Sequence, residues 1–481
     1  MVTFKQILRA LILAGLTLGL ITCAQGTPVI QSDADSEAIP EGLETVAVAD
    51  DKLTIWWTQG FLPEENEVIV QLVADWEQAS GFAANLVLLP DRDILGDTQR
   101  AIEEERSPDV VFSFPADTNL FPRLAWLDQL ADVSHLVEPI QDTITPTALE
   151  SVYYQNNVTQ TRSYYALPFG QNTVHLHYWQ PLLNEAGLYN DEIPNTWNEF
   201  WQFWQTAHAQ LRDQGKDTVY GIGLCLSDLG TDTFWQFEQF LEARNLELVD
   251  EQGTLRIDDP GIRQGLIDTI QQFVGFYRDG YIPPAAVEWT DSGNNISFLE
   301  QQSLMTVNST LSVPFSQRQP DTPYNRQSTD YYFNQIRTIP WPNKPDGSPH
   351  RSILSIKQLA ILKDTDQLEA AESFAAYFIQ PANIDKYLQL ATKGRIFPVI
   401  RSLWQDPFWN AVNDPHLSLA LQQHQQDTRP SYQVYAPAYS KVLQDNVWAK
   451  AILQVLNDGV SPEQATDQAI ARVKQIFGEW S

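Results

Sequence analysis

From Leu53 onward, short apolar runs alternate with stretches whose apolar residues recur at helical spacing. Leu53-Thr54-Ile55-Trp56-Trp57 is nearly continuous in apolar character and predicts a strand buried on both faces. Ile69, Leu72, Val73 and Trp76 then mark one face of a helix that Ser80-Gly81 closes, giving a first strand-helix unit. Leu86 to Leu89 and Val110 to Phe114 predict two further strands, separated by a polar segment of helix length. Regular alternation of this kind predicts a parallel sheet whose ligands meet the carboxyl ends of its strands. On that rule Trp56, Trp57, Phe114 and Asp117 are candidates for a binding site.

The pattern is interrupted at Ala166-Leu167-Pro168-Phe169-Gly170-Gln171-Asn172, where proline and glycine predict a crossing out of the first α/β unit. A β-rich run, Thr173 to Tyr178, and a short helix framed by Pro181 and Gly187 follow. Thr196-Trp197-Asn198-Glu199 fits a capping box, with the threonine oxygen taking an amide and the glutamate reaching back to the cap. Trp201 and Trp204 continue that helix as a core stripe, Gly221 to Cys225 reads as a buried strand, and Phe234 to Leu241 as the next helix. Ile262, Leu266, Ile270 and Phe273 share one face of a helix that ends at Gly280. Ile336 to Trp341, stiffened by Pro340 and Pro342, predicts a second crossing, and Gln380-Pro381 a third. The last helix, Pro462 to Phe477, has Ser461 as its cap.

One succession of features is specific. A strand ending in tyrosine (Tyr178), a helix ending Glu185-Ala186-Gly187-Leu188, then Ile193-Pro194-x-Thr196-Trp197-x-Glu199-Phe200, resembles the mid-chain signature of family 1 extracellular solute-binding proteins, the maltose-binding type that serve ABC importers. Met305-Thr306-Val307 and Lys393-Gly394-Arg395-Ile396-Phe397-Pro398 resemble two further landmarks of that family, whereas Trp179 departs from its usual asparagine. The resemblance implies a two-lobe periplasmic-binding-protein-like α/β fold, each lobe a mostly parallel sheet flanked by helices, joined by three hinge crossings. Residues 51–168 and 341–379 would form the first lobe, and residues 169–340 and 380–481 the second. It also implies a receptor that binds a sugar or oligosaccharide between the lobes and delivers it to membrane permease subunits. By position in the family pattern, Asn172, Trp235, Asn308 and Arg351 join the candidate ligand contacts, and Asn172 stands where relatives often place a sugar-contacting carboxylate.

Composition narrows the classes. The 481 residues exceed one ordinary core, and a hydrophobic share of 43% with 15 tryptophans excludes wholesale disorder. A formal charge of −31 argues against nucleic acid, whose phosphates such a surface repels. Lys5 and Arg9 precede an apolar run, Leu11 to Ile21, that is short for a membrane span and suits an export signal. Leu20-Ile21-Thr22-Cys23 resembles a lipobox and predicts acylation of Cys23, with ordinary cleavage after Ala24 as the competing reading. Residues 1–23 then form the signal, residues 24–50 a tether, and Cys225 is left without a disulfide partner.

Catalytic motifs are absent: there is no phosphate loop, no nucleophile elbow and no zinc-protease helix, and no cofactor is expected. His175 and His177 face one way on a predicted strand, a possible start to a metal site, but no third ligand accompanies them and a structural pair is expected. Tryptophan and phenylalanine with aspartate, asparagine and arginine suit a sugar ring, which offers C–H faces for stacking and hydroxyls for planar acceptors and donors. The expected activity is therefore capture of a neutral carbohydrate by a monomer, without chemistry. An exported carbohydrate-active enzyme and a non-transport envelope sensor remain as alternatives.

Overall fold

The computed structural model describes residues 52–318 and 322–480; the export signal, Cys23 and the tether lie outside the described residues. Among the described residues, no helix is long and apolar enough to cross a membrane. In chain order the strands begin with β1 (Leu53–Thr58), β2 (Ala84–Leu89) and β3 (Val110–Phe112). A hairpin of β4 (Tyr153–Asn156) and β5 (Thr161–Tyr164) precedes β6 (Leu167–Asn172) and β7 (His175–Trp179). β8 (Tyr220–Gly223), β9 (Ser303–Asn308), β10 (Ile336–Ile339), β11 (Ser352–Ile361), β12 (Phe397–Pro398) and β13 (Thr428–Pro430) complete the set.

Two sheets organise the molecule. The first runs β12-β6-β11-β3-β1-β2, with β13 alongside β11, and the second runs β10-β7-β9-β8. β1 lies parallel to both β2 and β3, as the alternating pattern predicts. The sheets are nevertheless mixed rather than mostly parallel: β11 is antiparallel to β3 and β6, and β7 is antiparallel to β9 and β10. The parallel strands are linked through helices, whereas β11 and β7 enter on crossings from the other sheet and need no such helix to reverse direction. Each sheet has its own core. Trp57 on β1 packs at 4.4 Å from Phe112 and within ring contact of Phe169, Phe378 and Tyr387. The second core holds Tyr178, Trp201, Trp204, Phe237, Phe240, Phe273 and Trp448.

Several expectations shift. Leu167 to Asn172 is not a loop but β6, buried throughout and held between β11 and β12. Pro168 is tolerated there because the register with β11 shifts between Lys357 and Gln358, where a missing amide donor leaves no broken ladder. Gly170 is needed for packing, since a Cβ at that site would lie 2.6 Å from Ile396 Cγ2. The crossing shrinks to Thr173-Val174. The third crossing also moves, because Ile384, Tyr387, Leu388, Trp409, Leu417 and Leu421 pack into the first core, not the second. Apolar side chains in that stretch follow the core nearest Trp57, and the chain passes to the second core only after β13, at Tyr432 and Tyr439. Leu311, Phe315 and Tyr332 likewise belong to the first core while Val313 among them belongs to the second, so this segment packs against both cores.

Helix boundaries follow capping chemistry at one end of the chain and depart from it at another. Ser461 accepts from the Gln464 amide and caps Pro462–Gly478 as expected. At Thr196 no box forms: its hydroxyl donates to the Glu199 carboxylate at 2.5 Å, and the helix Trp197–Asp213 begins without a side-chain cap bond.

Candidate functional site

The carboxyl ends of β2, β3 and β6 and the first residues of β11 open on one side of the first sheet, as the strand directions require. The carboxyl end of β9 meets them from the second sheet. Between the two lies a cleft of about 250 Å³ lined by Phe114, Asp117, Asn172, Lys357, Asp232, Trp235, Asn308 and Ser309, among others. It continues into an outer chamber of about 560 Å³ that shares Asp91, Phe114, Asn172, Asp291, Thr310, Ser312 and Lys357, and adds Gln59, Phe61 and Arg395.

Each wall is built by local structure. The chain leaving β3 turns at Pro115 into the short helix Ala116–Asn119, which brings Phe114 and Asp117 over the sheet end. Asp117 accepts from Ser355 Oγ at 2.7 Å, and its other oxygen stands 3.8 Å from Lys357 Nζ. Burial pushes the Asp117 carboxyl up, and Lys357 opposes that shift only in part. Lys357 in turn donates to Phe114 O and Ser355 Oγ, each at 2.7 Å. On the facing wall, the helix Asp232–Ala243 starts at the cleft, so Asp232 and Trp235 project from its first turn. Asp232 accepts from Ser309 Oγ at 2.9 Å, and burial together with neighbouring Asp291 pushes its carboxyl up to about 7. Asn172 Nδ2 donates to Ser309 O at 3.1 Å, a bond between the two walls that fixes which end of its amide faces the cleft.

Three buried lining atoms have no hydrogen-bond partner: Asp117 Oδ1, Asn172 Oδ1 and Asp232 Oδ2. All three are acceptors. Asn308, by contrast, spends its side chain internally. Its Nδ2 donates to Asn295 Oδ1, and its Oδ1 receives the Thr310 amide at 3.0 Å.

Of the residues expected at the site, Phe114, Asp117, Asn172, Trp235 and Asn308 are brought together, and Trp56, Trp57 and Arg351 are not. β1 is an inner strand with both faces covered, so Trp57 enters the first core and donates to Tyr387 Oη at 3.2 Å, while Trp56 packs on the opposite face. Only Gln59, beyond the end of β1, reaches the outer chamber. Arg351 lies before the stretch of β11 that reaches the cleft and pairs with Glu242, its Nε 2.8 Å from Oε1. The sequence reading missed Asp91, Asp232, Asp291 and Lys357. Asp232 opens a helix next to a named candidate, which was a usable signal; Lys357 sits inside a continuous apolar strand pattern and gave none. His175 and His177 bond to Gln423 Oε1 at 2.6 Å and Thr338 Oγ1 at 2.9 Å, respectively. Among the described residues, no group of three or more potential metal ligands is found.

With this geometry in view, the family model described as "Bacterial extracellular solute-binding protein" matches residues 71–418, well over half of the chain. The chain belongs to that family. Comparison of this solute-binding protein with curated proteins gives no match. Among solved structures it is similar to an ABC transporter solute-binding protein from Thermotoga lettingae TMO bound with alpha-D-tagatose, at 19% identity and a TM-score of 0.66, covering 89% of this chain and 99% of that one. A putative oligosaccharide periplasmic-binding protein from Synechococcus sp. MITs9220 gives 16% identity and a TM-score of 0.69, covering 89% of this chain and 100% of that one. The sugar-binding protein MalE from Xanthomonas citri gives 20% identity and a TM-score of 0.66, covering 89% and 98%. The solute-binding protein therefore has the periplasmic-binding-protein fold that the resemblance of its mid-chain signature implied.

Proposed function

We propose that this solute-binding protein is the receptor component of an ABC importer, capturing a sugar or oligosaccharide between its lobes and presenting it unchanged to membrane permease subunits. One observation carries the reading. Aromatic faces at Phe114 and Trp235 border an inner cleft whose buried unpartnered atoms, at Asp117, Asn172 and Asp232, are all acceptors. Sugar hydroxyls donate to such atoms while ring C–H faces cover the aromatic surfaces. The similar structures described as binding tagatose or as sugar-binding support the same class. A thermal-shift screen against sugars, polyols, oligopeptides and metal ions tests it. A bound sugar at about a hundred times its Kd adds about 2.7 kcal/mol of stability. A melting curve moved by peptides or metals and by no sugar ends this reading.

Asp232 and Asp291 line one cleft together, and a pair of carboxylates is what the enzyme alternative needs. Product release from any sugar that binds would decide for it. The proposal extends to export and to an acyl anchor on Cys23, supported by the apolar run that ends at that cysteine. Mass spectrometry of the mature amino terminus tests this, and an unmodified chain beginning at Gln25 refutes it.

A further inference from the structure

The charges facing the cleft do not balance. Asp91, Asp117, Asp232 and Asp291 line it together with a single cation, Lys357, in the inner part. Lys357 is committed to Asp117, Phe114 O and Ser355. The outer chamber adds Arg395, which is itself paired with Glu65 and lies over the Phe61 ring. No ion pair among the described residues involves Asp91, Asp232 or Asp291. These carboxylates are held in place by neutral donors instead. Thr58 Oγ1 donates to Asp91 at 2.9 Å, Ser309 Oγ to Asp232 at 2.9 Å, and the Thr231 amide to Asp291 at 2.6 Å. Gly230 makes room for the last contact, since a Cβ there would stand 2.6 Å from Asp291 Oδ1.

We propose that the solute bound here carries a protonated amine beside its hydroxyls, as an amino sugar or aminocyclitol does, with the ammonium seated between Asp232 and Asp291 and its neighbouring donors reaching Asn172 Oδ1. This rests on the carbohydrate reading and replaces the neutral ligand expected from sequence. Asp232 is 4% exposed and Asn172 5% exposed, and each keeps one oxygen without a partner. The Asn172 amide cannot turn to offer a donor without giving up its bond to Ser309 O. An ammonium brings three donors and no acceptor, which matches this set of atoms better than hydroxyls, whose own lone pairs also need donors. Closing the cleft over a neutral ring would strip water from the exposed Asp91 and Asp291 carboxylates beside the already buried Asp232, whereas a cation supplies the missing partner. Burial and the neighbouring Asp291 charge push the Asp232 carboxyl up to about 7, and a cation placed beside it would oppose both effects.

Calorimetric titration of the purified protein with matched pairs tests this: glucosamine oligomers against their N-acetylated forms and against gluco-oligosaccharides of equal length. The amine member of a pair should bind at least about tenfold tighter, with the gap shrinking as salt is raised. Asp232→Asn should narrow that gap, and Asp291→Asn should narrow it independently, each variant first shown to melt cooperatively. Equal or tighter binding of the neutral member overturns the amine proposal and leaves the carbohydrate reading standing. Binding of polyamines or amino acids with no sugar of either kind overturns the carbohydrate reading instead, and with it the amino sugar named here. A gap that persists in both variants removes the assigned seat and refutes the proposal as stated.

Discussion

Trp235 and Phe114 face the cleft from opposite lobes, one in the first turn of a helix on the second sheet and the other just beyond β3 on the first. A ring clamped between them gains stacking worth about 0.5–1.5 kcal/mol per aromatic face beyond the area it buries. Trp235→Ala should therefore raise the Kd for the sugar found by screening by roughly threefold to tenfold. Phe114→Ala should do the same, and calorimetric titration reads both. Affinity unchanged in both variants would sink the stacking role. Trp56 and Trp57 looked equivalent to Phe114 in the sequence, since all three sit near predicted strand ends. The difference lies in place along the strand: Trp56 and Trp57 sit inside β1, where their indoles enter cores on its two faces, whereas Phe114 lies beyond the end of β3. The nearly continuous apolar run from Leu53 to Trp57 already predicts a strand covered on both faces, and that signal outweighs nearness to the strand's end.

At the scale of elements, the junctions between lobes hold buried polar groups that periodicity does not announce. Glu242, on the helix Asp232–Ala243, accepts from Lys344 at 2.6 Å, Arg351 at 2.8 Å and Arg429 at 2.8 Å, tying that helix to three positions near β11 and β13. Burial alone would raise its carboxyl, but Arg429, Arg351 and Lys344 outweigh burial and hold it well below the usual carboxylate range. Glu242→Gln should lower stability by about 3–5 kcal/mol, because buried Arg429 would lose its 2.8 Å partner and keep only Glu238 at 3.9 Å, while Lys344 and Arg351 lose their carboxylate too. Chemical denaturation measures that loss, and a change under about 1 kcal/mol would show the network to be dispensable. A second junction packs His175 and His177 of β7 against His416 and His424 near the first core. Thr338 on β10 bridges His177 and His416 at 2.9 and 2.6 Å. Burial lowers all four: His175 and His416 to about 4, His424 to about 3, and His177 well below its usual value. The unfolded chain binds these protons near pH 6.5 while the folded chain does not, so stability falls as pH drops from 6.5, the His175 and His416 contributions levelling near 4 and that of His424 only near 3. Melting at pH 7.5, 5.5 and 4.5 should show this, and His424→Phe, which keeps an aromatic ring at the tilted 4.9 Å contact with Phe397, should flatten the dependence. An identical pH profile in that variant would acquit His424. The strands and helices themselves were legible because their apolar spacing is local; the resemblance supplied the order of lobes. The course of residues 380–430 was misread because the apolar spacing of Ile384 to Leu390 fits either core equally well.

At the scale of the whole molecule, the two cores are separate and the passages between them are short, which is the arrangement needed for lobes that rotate as rigid bodies. Leu167 to Asn172 and Phe378 to Pro381, expected from sequence to bend, are poor hinges, since β6 is an inner strand and Phe378 is buried in the first core. Thr173-Val174, the stretch 340–351 and the stretch 431–436 connect the sheets without belonging to either ladder, and they are the hinge proposed here. A ligand touching both walls gains contacts only in the closed form, and that difference in affinity is what shifts the population. Small-angle scattering of the protein with the identified sugar should give a smaller radius of gyration than without it. Phe61→Cys combined with Ser292→Cys places thiols on facing sides of the outer chamber, where native Cys225 is buried and out of reach. That pair should crosslink faster when the sugar is present. Scattering and crosslinking both unchanged at saturating sugar would reject closure, and the permease would then have to recognise the solute itself rather than the angle between lobes.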